Sequence, residues 1–424
     1  MCANTTGCNN SSVGSQTLMS NTTGCNNVAF GRLALNLNTE GDENVSVGSC
    51  SLRRSTTGSQ NTALGSCSLM CNTTASNNTA IGFCSLNVNT TGSGNTAVGK
   101  DALDSNTTGT DNVAIGLDAL QSNTTADSNV AVGRTALQGN TTGTANVAVG
   151  VVALESNTTG ATNVALGAGA LRSNTTASTN TAVGTNSLNA NTTGSSNVAI
   201  GASSLDSLTT GVRNTAIGHT SGDPLTTGND NVILGQNAGD NLTTGSQCIA
   251  IGNDTSFSSA SGTNEIVLGH NTLSAGDNTF TFGSSTGSDR VFNTYDSNAS
   301  WTRVSDVRYK ENITPNTDCG LAFINDLNPV TFTWKAKADI DNTLPDYNEE
   351  ESEPEYKEKM YGLIAQEVKE SLDKHNITDF GGWNIEDSSS IQAISQEMFV
   401  HPLIKAVQEL SAKVEELESK LNGE

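Results

Sequence analysis

The sequence predicts a mainly β fold, a stack of parallel coils wound as a β-roll or β-helix, with a compositionally different region after it. Sixteen glycines, Gly14 to Gly269, stand 17 residues apart without one slip. A fixed period this short is the signature of a chain wound into equivalent coils. Within each period the apolar residues of one short segment alternate, as in a strand. The third observation is compositional. Aromatic residues make up 4% and charged residues 15% of the chain, which would suit disorder, but a disordered chain needs no register.

One unit, Asn112 to Ser128, justifies the elements in order. In Asn-Val-Ala-Ile-Gly, Val113 and Ile115 point to one side and Ala114 to the other. Gly116 follows at once and suits a corner that needs an unusual φ or a close backbone approach. Ala119-Leu120 is a second short apolar pair, and Leu holds that place without a gap from Leu18 to Leu205. Asn-Thr-Thr-Gly then closes the coil as a turn. Seventeen residues cannot bury an apolar face alone, whereas stacked units can. Residues 1–270 are therefore read as a shaft of 17-residue coils, roughly 75 Å long at ~4.8 Å per coil. The Val/Ile and Leu columns are expected to fill the interior. The Ala column is expected outside, against neighbouring chains of a homotrimer. The Asn-Thr-Thr triplets match the N-glycosylation pattern, but their recurrence is that of turns and hydrogen-bonded ladders.

The pattern decays towards its end. Leu gives way to Gly222 and Gly239, Asn-Thr-Thr becomes Leu-Thr-Thr at Leu208, Leu225 and Leu242, and the strand-leading Asn becomes Cys248 and then Glu265. Atypical terminal repeats act as caps. Residues 271–304 read as a stalk or transition carrying Phe280, Phe282, Phe292, Tyr295 and Trp301.

Net charge is -23, of which -14 falls on residues 305–424. An acidic chain without basic patches is a poor nucleic-acid binder and gains nothing at an anionic membrane. No segment is long and apolar enough to span a bilayer, and the N-terminus lacks the pattern of a signal peptide. An anchoring segment is then missing or belongs to another protein. No Cys/His cluster has zinc spacing, so no metal and no cofactor are expected. Of nine cysteines, Cys50, Cys67 and Cys84 follow ladder glycines by two residues, and Cys8 and Cys25 are one period apart. One strand spacing allows a disulfide, but parallel side-chain vectors do not favour it. They are read as reduced thiols acting as small buried residues. Neither a Ser-His-Asp arrangement nor a glycosidase carboxylate pair can be singled out.

The Asn-x-Val-Ala-Ile-Gly core resembles the head repeats of trimeric autotransporter adhesins, in a longer period, and the repeat shafts of phage and large-virus fibres. Beyond residue 304 the sequence changes character: Ser305-Asp-Val-Arg-Tyr-Lys-Glu-Asn-Ile313, Asn328-Pro-Val-Thr-Phe-Thr-Trp334, Tyr361-Gly-Leu-Ile-Ala-Gln-Glu-Val368, and a helix ending Ala406-Val-Gln-Glu-Leu410. This ordered set resembles the endosialidase-type intramolecular chaperone, a self-cleaving domain at the C-terminus of viral fibres and spikes. The resemblance implies a small α+β domain over 305–424 that trimerises, templates the shaft and cuts itself off at Val304–Ser305. It implies Ser305 as nucleophile and Lys310 as base, with Asp306 and Arg308 as structural support and Asn312 as a further motif position. A serine hydroxyl needs such a base, and a desolvated lysine can serve. The alternative is a chaperone that no longer cleaves. Leu403, Val407, Leu410, Val414, Leu417 and Leu421 alternate steps of four and three, the a/d spacing of a coiled coil over about 402–422. The alternative is an amphipathic helix packed on its own domain.

The expectation is a homotrimeric viral shaft, a phage tail fibre or spike assembled in the host cytoplasm and carried on the virion. Its partners would be its own copies, other tail or fibre proteins, and a host-surface glycan or protein. The rivals are a bacterial trimeric adhesin, a spike with hidden glycan-degrading activity, and a membrane-bound transcription factor released by the same chaperone.

Overall fold

The computed structural model describes residues 3–284, 290–294, 302–303, 311–342, 347–354, 357–385 and 392–423. The chain divides into two units, Met1–Tyr309 and Lys310–Glu424. Among the described residues no helix is long and apolar enough to cross a membrane.

The first unit is a parallel β-solenoid. Strands β1 (Ser11–Val13) to β16 (Ile266–Gly269) recur once per period. Each pairs in parallel with the equivalent residues of the next coil: Val113 faces Val130, Ala114 faces Ala131 and Ile115 faces Val132. The ladder continues across the shorter step to β17 (Thr279–Gly283), where Gly269 lies opposite Gly283. It then turns antiparallel through β18 (Arg290–Thr294) and β19 (Thr302–Arg303).

The strand alternation holds, but its sense is inverted. Ala114 and its equivalents from Ala29 to Ala216 are fully buried, Ser46 taking the place once, while Ile115 is 40% exposed and Val113 half-buried. The interior of so short a coil is narrow. The unbroken Leu18–Leu205 column fills it from the opposite wall, every member at 0% exposure, and only a methyl fits between. The decaying end shows the same volume rule. Where Leu becomes Gly222 and Gly239, the Ala column becomes Ile233, and a Cβ on Gly239 would meet Ile233 and Phe257 at 3.2 Å. Close packing requires such exchanges.

Polar columns complete the interior. Asn112 and Asn123 are both fully buried and both donate through Nδ2 to the Ala126 carbonyl, at 2.8 and 3.0 Å. Each also donates to the equivalent asparagine one coil back, Asn95 at 3.1 Å and Asn106 at 2.8 Å. Buried amides must be satisfied in this way. The Asn of the Asn-Thr-Thr triplets is thus a turn lock with its amide committed, inaccessible for glycan attachment in the folded coil.

Gly116 has φ +141°, and a Cβ there would lie 2.4 Å from the Gly133 carbonyl oxygen. Both reasons for glycine therefore apply. Three further residues of the same unit, Asp118, Leu120 and Ser128, hold left-handed φ of 55–61°. Such a conformation costs an L-residue about 1–2 kcal/mol, so an isolated coil is unfavourable and only stacking stabilises it.

The second unit is α+β. Helix α1 (Leu321–Asp326), α2 (Ala365–Lys374) and α3 (Val400–Asn422) accompany two antiparallel strand pairs, β20 (Val330–Phe332) with β21 (Met360–Gly362) and β22 (Trp383–Ile385) with β23 (Gln392–Ile394). Phe323 is the centre of its core, with Val368, Leu372 and Ile377 buried around it. The rings of Phe380 and Phe399 lie 5.8 and 6.4 Å from Phe323.

Candidate functional site

Three of the four motifs noted beyond residue 304 converge in the second unit. Asn328 donates to Glu367 Oε2 at 3.1 Å, and Val330 pairs with Gly362. The Asn-Pro-Val and Gly-Leu-Ile-Ala-Gln-Glu-Val segments thereby form one strand-to-helix junction. Leu363 packs on the core and Val368 is buried in it, as α2 opens at Ala365. The third motif closes over α1: Ala406 is buried, and the Leu321 amide donates to Glu409 Oε2 at 2.8 Å. The carboxylate satisfies an orphan amide and complements the positive end of α1. A Cβ on Gly320 would lie 2.5 Å from the Glu409 carboxylate, so the lack of a side chain there lets the carboxylate reach the amide.

The fourth motif carries the expected chemistry. Val304, Ser305, Asp306, Arg308 and Lys310 lie outside the described residues, so the Ser305–Lys310 pair has no geometry here. Asn312 is exposed, with a left-handed φ of 53°, a conformation asparagine tolerates.

Helix α3 presents the spaced apolar residues to solvent. Leu403, Val407, Leu410, Val414, Leu417 and Leu421 are 45–87% exposed, so packing of this stripe on its own domain is excluded for the single chain. Only Pro402 and Ala406 of α3 are buried, and every residue from 411 to 423 is exposed. Isolated helical turns of that length are marginal in water. The stripe begins at the rim of an apolar groove of about 490 Å³, which Leu327, Val330, Leu363, Phe399, Val400 and Leu403 help to line.

The solenoid has its own apolar surface. The column from Val13 to Leu268 is aliphatic or aromatic at all sixteen positions. Its exposed members range from 38% at Leu64 to 66% at Val13. An apolar surface that runs on contiguously in this way is uncommon on a monomeric protein. The repeated Val/Ile was visible in the sequence, but its outward sense was not.

Charged groups are sparse but informative. Hydrogen bonds from Lys374 and His375 hold the Asp326 carboxyl below its ordinary range. Burial pushes Asp104, Asp206 and Asp223 of the solenoid above it, with Asp223 adding to the shift at Asp206. Among the described residues no group of three or more His, Cys, Asp or Glu is placed to hold a metal ion. Of the described cysteines only Cys248 and Cys319 are buried, whereas Cys25, Cys50, Cys67, Cys71 and Cys84 are half-buried and Cys8 is exposed. The reading of these thiols as small buried residues therefore holds for two of them.

Residues 305–377 match the family model described as the chaperone of endosialidase. No curated protein and no solved structure matches the chain. The chain thus joins a solenoid of 17-residue coils to a chaperone-type segment.

Proposed function

We propose that the chain is a homotrimeric fibre shaft whose C-terminal region, residues 305–424, assembles it and then releases itself by cutting at Val304–Ser305. The observation that carries this reading is the chaperone-of-endosialidase match following a parallel solenoid. Such a solenoid is a poor independent folder. Each strand pair must close a 17-residue loop and leaves an unpaired edge until the next coil docks, and each coil holds several left-handed residues that only stacking can stabilise. A template that fixes the first contacts answers both problems.

The uncovered apolar faces support the trimer. The Val13–Leu268 column is the surface on which further copies of the shaft pack. The Leu403–Leu421 stripe is the coiled-coil seam of the chaperone. In the cleavage step Ser305 Oγ attacks the Val304 carbonyl carbon. Lys310 takes the hydroxyl proton and passes it to the departing Ser305 nitrogen. The Val304 ester is then hydrolysed by water, leaving residues 1–304 as the mature shaft. The product has lost its template and cannot retrace its path, so its stability becomes kinetic. We place this shaft on a virion, as a tail fibre or spike joined to other fibre proteins, with a host-surface glycan or protein as its target.

Intact mass under denaturing conditions, wild type beside Ser305→Ala, tests the proposal. Fragments meeting at Val304/Ser305 in wild type and a full-length variant are expected. A full-length wild type would make the C-terminal region a permanent trimerising cap. Fragments of unchanged yield in Ser305→Ala would remove Ser305 from the chemistry.

A further inference from the structure

Cys8 and Cys25 occupy a column with a consistent habit. At this position the side chain of many coils leans back towards the preceding coil and accepts a hydrogen bond from its backbone amide. The Cys25 amide donates to Asp42 Oδ1 at 2.7 Å, Asp42 to Ser59 Oγ at 3.0 Å, and Ser59 to Ser76 Oγ at 3.0 Å. Thr110 does the same to Asp127 and Ala161 to Ser178. Cys8 follows the rule, its amide donating to Cys25 Sγ at 3.1 Å. A thiol is a weak acceptor, so cysteine is a poor choice for that task alone. The lean also brings Cys25 Sγ to 2.7 Å from Cys8 Sγ, closer than unbonded sulfurs settle. Stacked cysteines need not have parallel side chains, and here they converge. The column of Cys50, Cys67 and Cys84 sits at left-handed residues instead; there the Cys50 and Cys67 sulfurs lie 3.8 Å from the hydroxyls of Ser49 and Ser66, and the Cys84 thiol is hydrogen-bonded to Cys67.

We propose that Cys8 and Cys25 are a modification site: a low-molecular-weight disulfide oxidises them to a coil-to-coil crosslink. The thiolate of one cysteine attacks the small disulfide, forming a mixed disulfide and expelling one small thiolate. The thiolate of the other attacks the protein-side sulfur, forms the Cys8–Cys25 bond and expels the second. The protein pair loses two electrons and two protons, and the reagent leaves as two thiols. The attack is within reach because Cys8 is exposed and Cys25 only half-buried. The crosslink clips one coil to the next across a single period, so local opening between them is suppressed.

The test treats the purified full chain with oxidised glutathione, blocks remaining thiols with iodoacetamide after denaturation, and maps the peptides. Trypsin leaves both cysteines in one fragment ending at Arg32, so a second cut beside Leu18 or Met19 is needed. Loss of two of the nine thiols, with the peptide from residue 1 to 18 or 19 linked to the peptide ending at Arg32, is expected in wild type and, with Cys2 removed from that peptide, in Cys2→Ser. The link disappears in Cys25→Ser, a variant that folds because Ser59, Ser76 and Ser178 already occupy this column. Alkylation of both Cys8 and Cys25, links between chains only, or a link that survives Cys8→Ser would each overturn the proposal.

Discussion

At the residue scale the coil is governed by two glycine columns of different strictness. Gly116 combines φ +141° with a carbonyl 2.4 Å from any added Cβ. Gly109 shows a similar close approach, but its φ lies outside the left-handed range, and Ala75, Ala126 and Ala177 occupy the same column at 2% exposure. Gly116→Ala should therefore destabilise the shaft by about 3 kcal/mol or more, and Gly109→Ala by well under half of that, read from denaturant melts of the two variants. The inverted alternation makes a second contrast. Ala114→Lys should prevent folding, because a fully buried methyl site has no outlet for a charge. The paired change Ile115→Lys with Ile200→Lys should leave the circular dichroism of the solenoid intact and abolish assembly in sedimentation. An unchanged sedimentation coefficient would remove this column from the interface.

At the element scale the same comparison explains what was legible in the sequence. The repeat and its parallel +17 pairing were legible because every coil states the same pattern. Which face is interior was not. Alternation says that Val113 and Ile115 share a side, and hydrophobicity ranks them above Ala114. The deciding quantity is coil width, which depends on Leu120 reaching across from the opposite wall. In the second unit, resemblance made the Asn328 and Gly362–Val368 segments recognisable, and the structure joins them through Asn328–Glu367. The Glu409–Leu321 contact was illegible because its partners are 88 residues apart. Ser305 and Lys310 remain sequence assignments, since they lie outside the described residues. Helix α3 offers its own test. Leu410→Asp with Leu417→Asp changes only exposed side chains, so the folded second unit should survive. The soluble yield of shaft should nevertheless fall several-fold if the stripe is the assembly seam, and remain at the wild-type level if it is not.

At the scale of the whole molecule the two units should answer acid in opposite directions. Asp104, Asp206 and Asp223 have folded pKa values raised by burial. A raised folded pKa means that stability is present below the unfolded value and is lost as pH rises through the folded one. The solenoid should thus gain as pH falls into the upper carboxylate range. Asp230 runs the other way through its exposed Arg213 pair, but such pairs contribute little. In the second unit Asp326 is lowered by its Lys374 and His375 partners, so its contribution is present at neutral pH and lost as pH falls through the folded value; the exposed Lys337–Glu351 pair contributes little, like that of Asp230. Melting the uncleaved Ser305→Ala chain at pH 7 and at about pH 4 should raise the solenoid transition and lower that of the second unit. Trp334 and Trp383 report the latter in a Trp301→Phe background. Asp206→Asn with Asp223→Asn should raise the solenoid transition at pH 7 and flatten its pH slope. Parallel shifts of both transitions would refute the assignment of these carboxylates.

The constant register has a genetic consequence. Each coil pairs only with its immediate neighbours, and Val113 stands to Val130 as Val130 stands to Val147. Deleting Asn112–Ser128 would bring Asn129 against Asn95 with every column in place. The length of the solenoid can therefore be inherited as an integer, changed by recombination between near-identical units of 17 codons, while residues 305–424 remain untouched downstream.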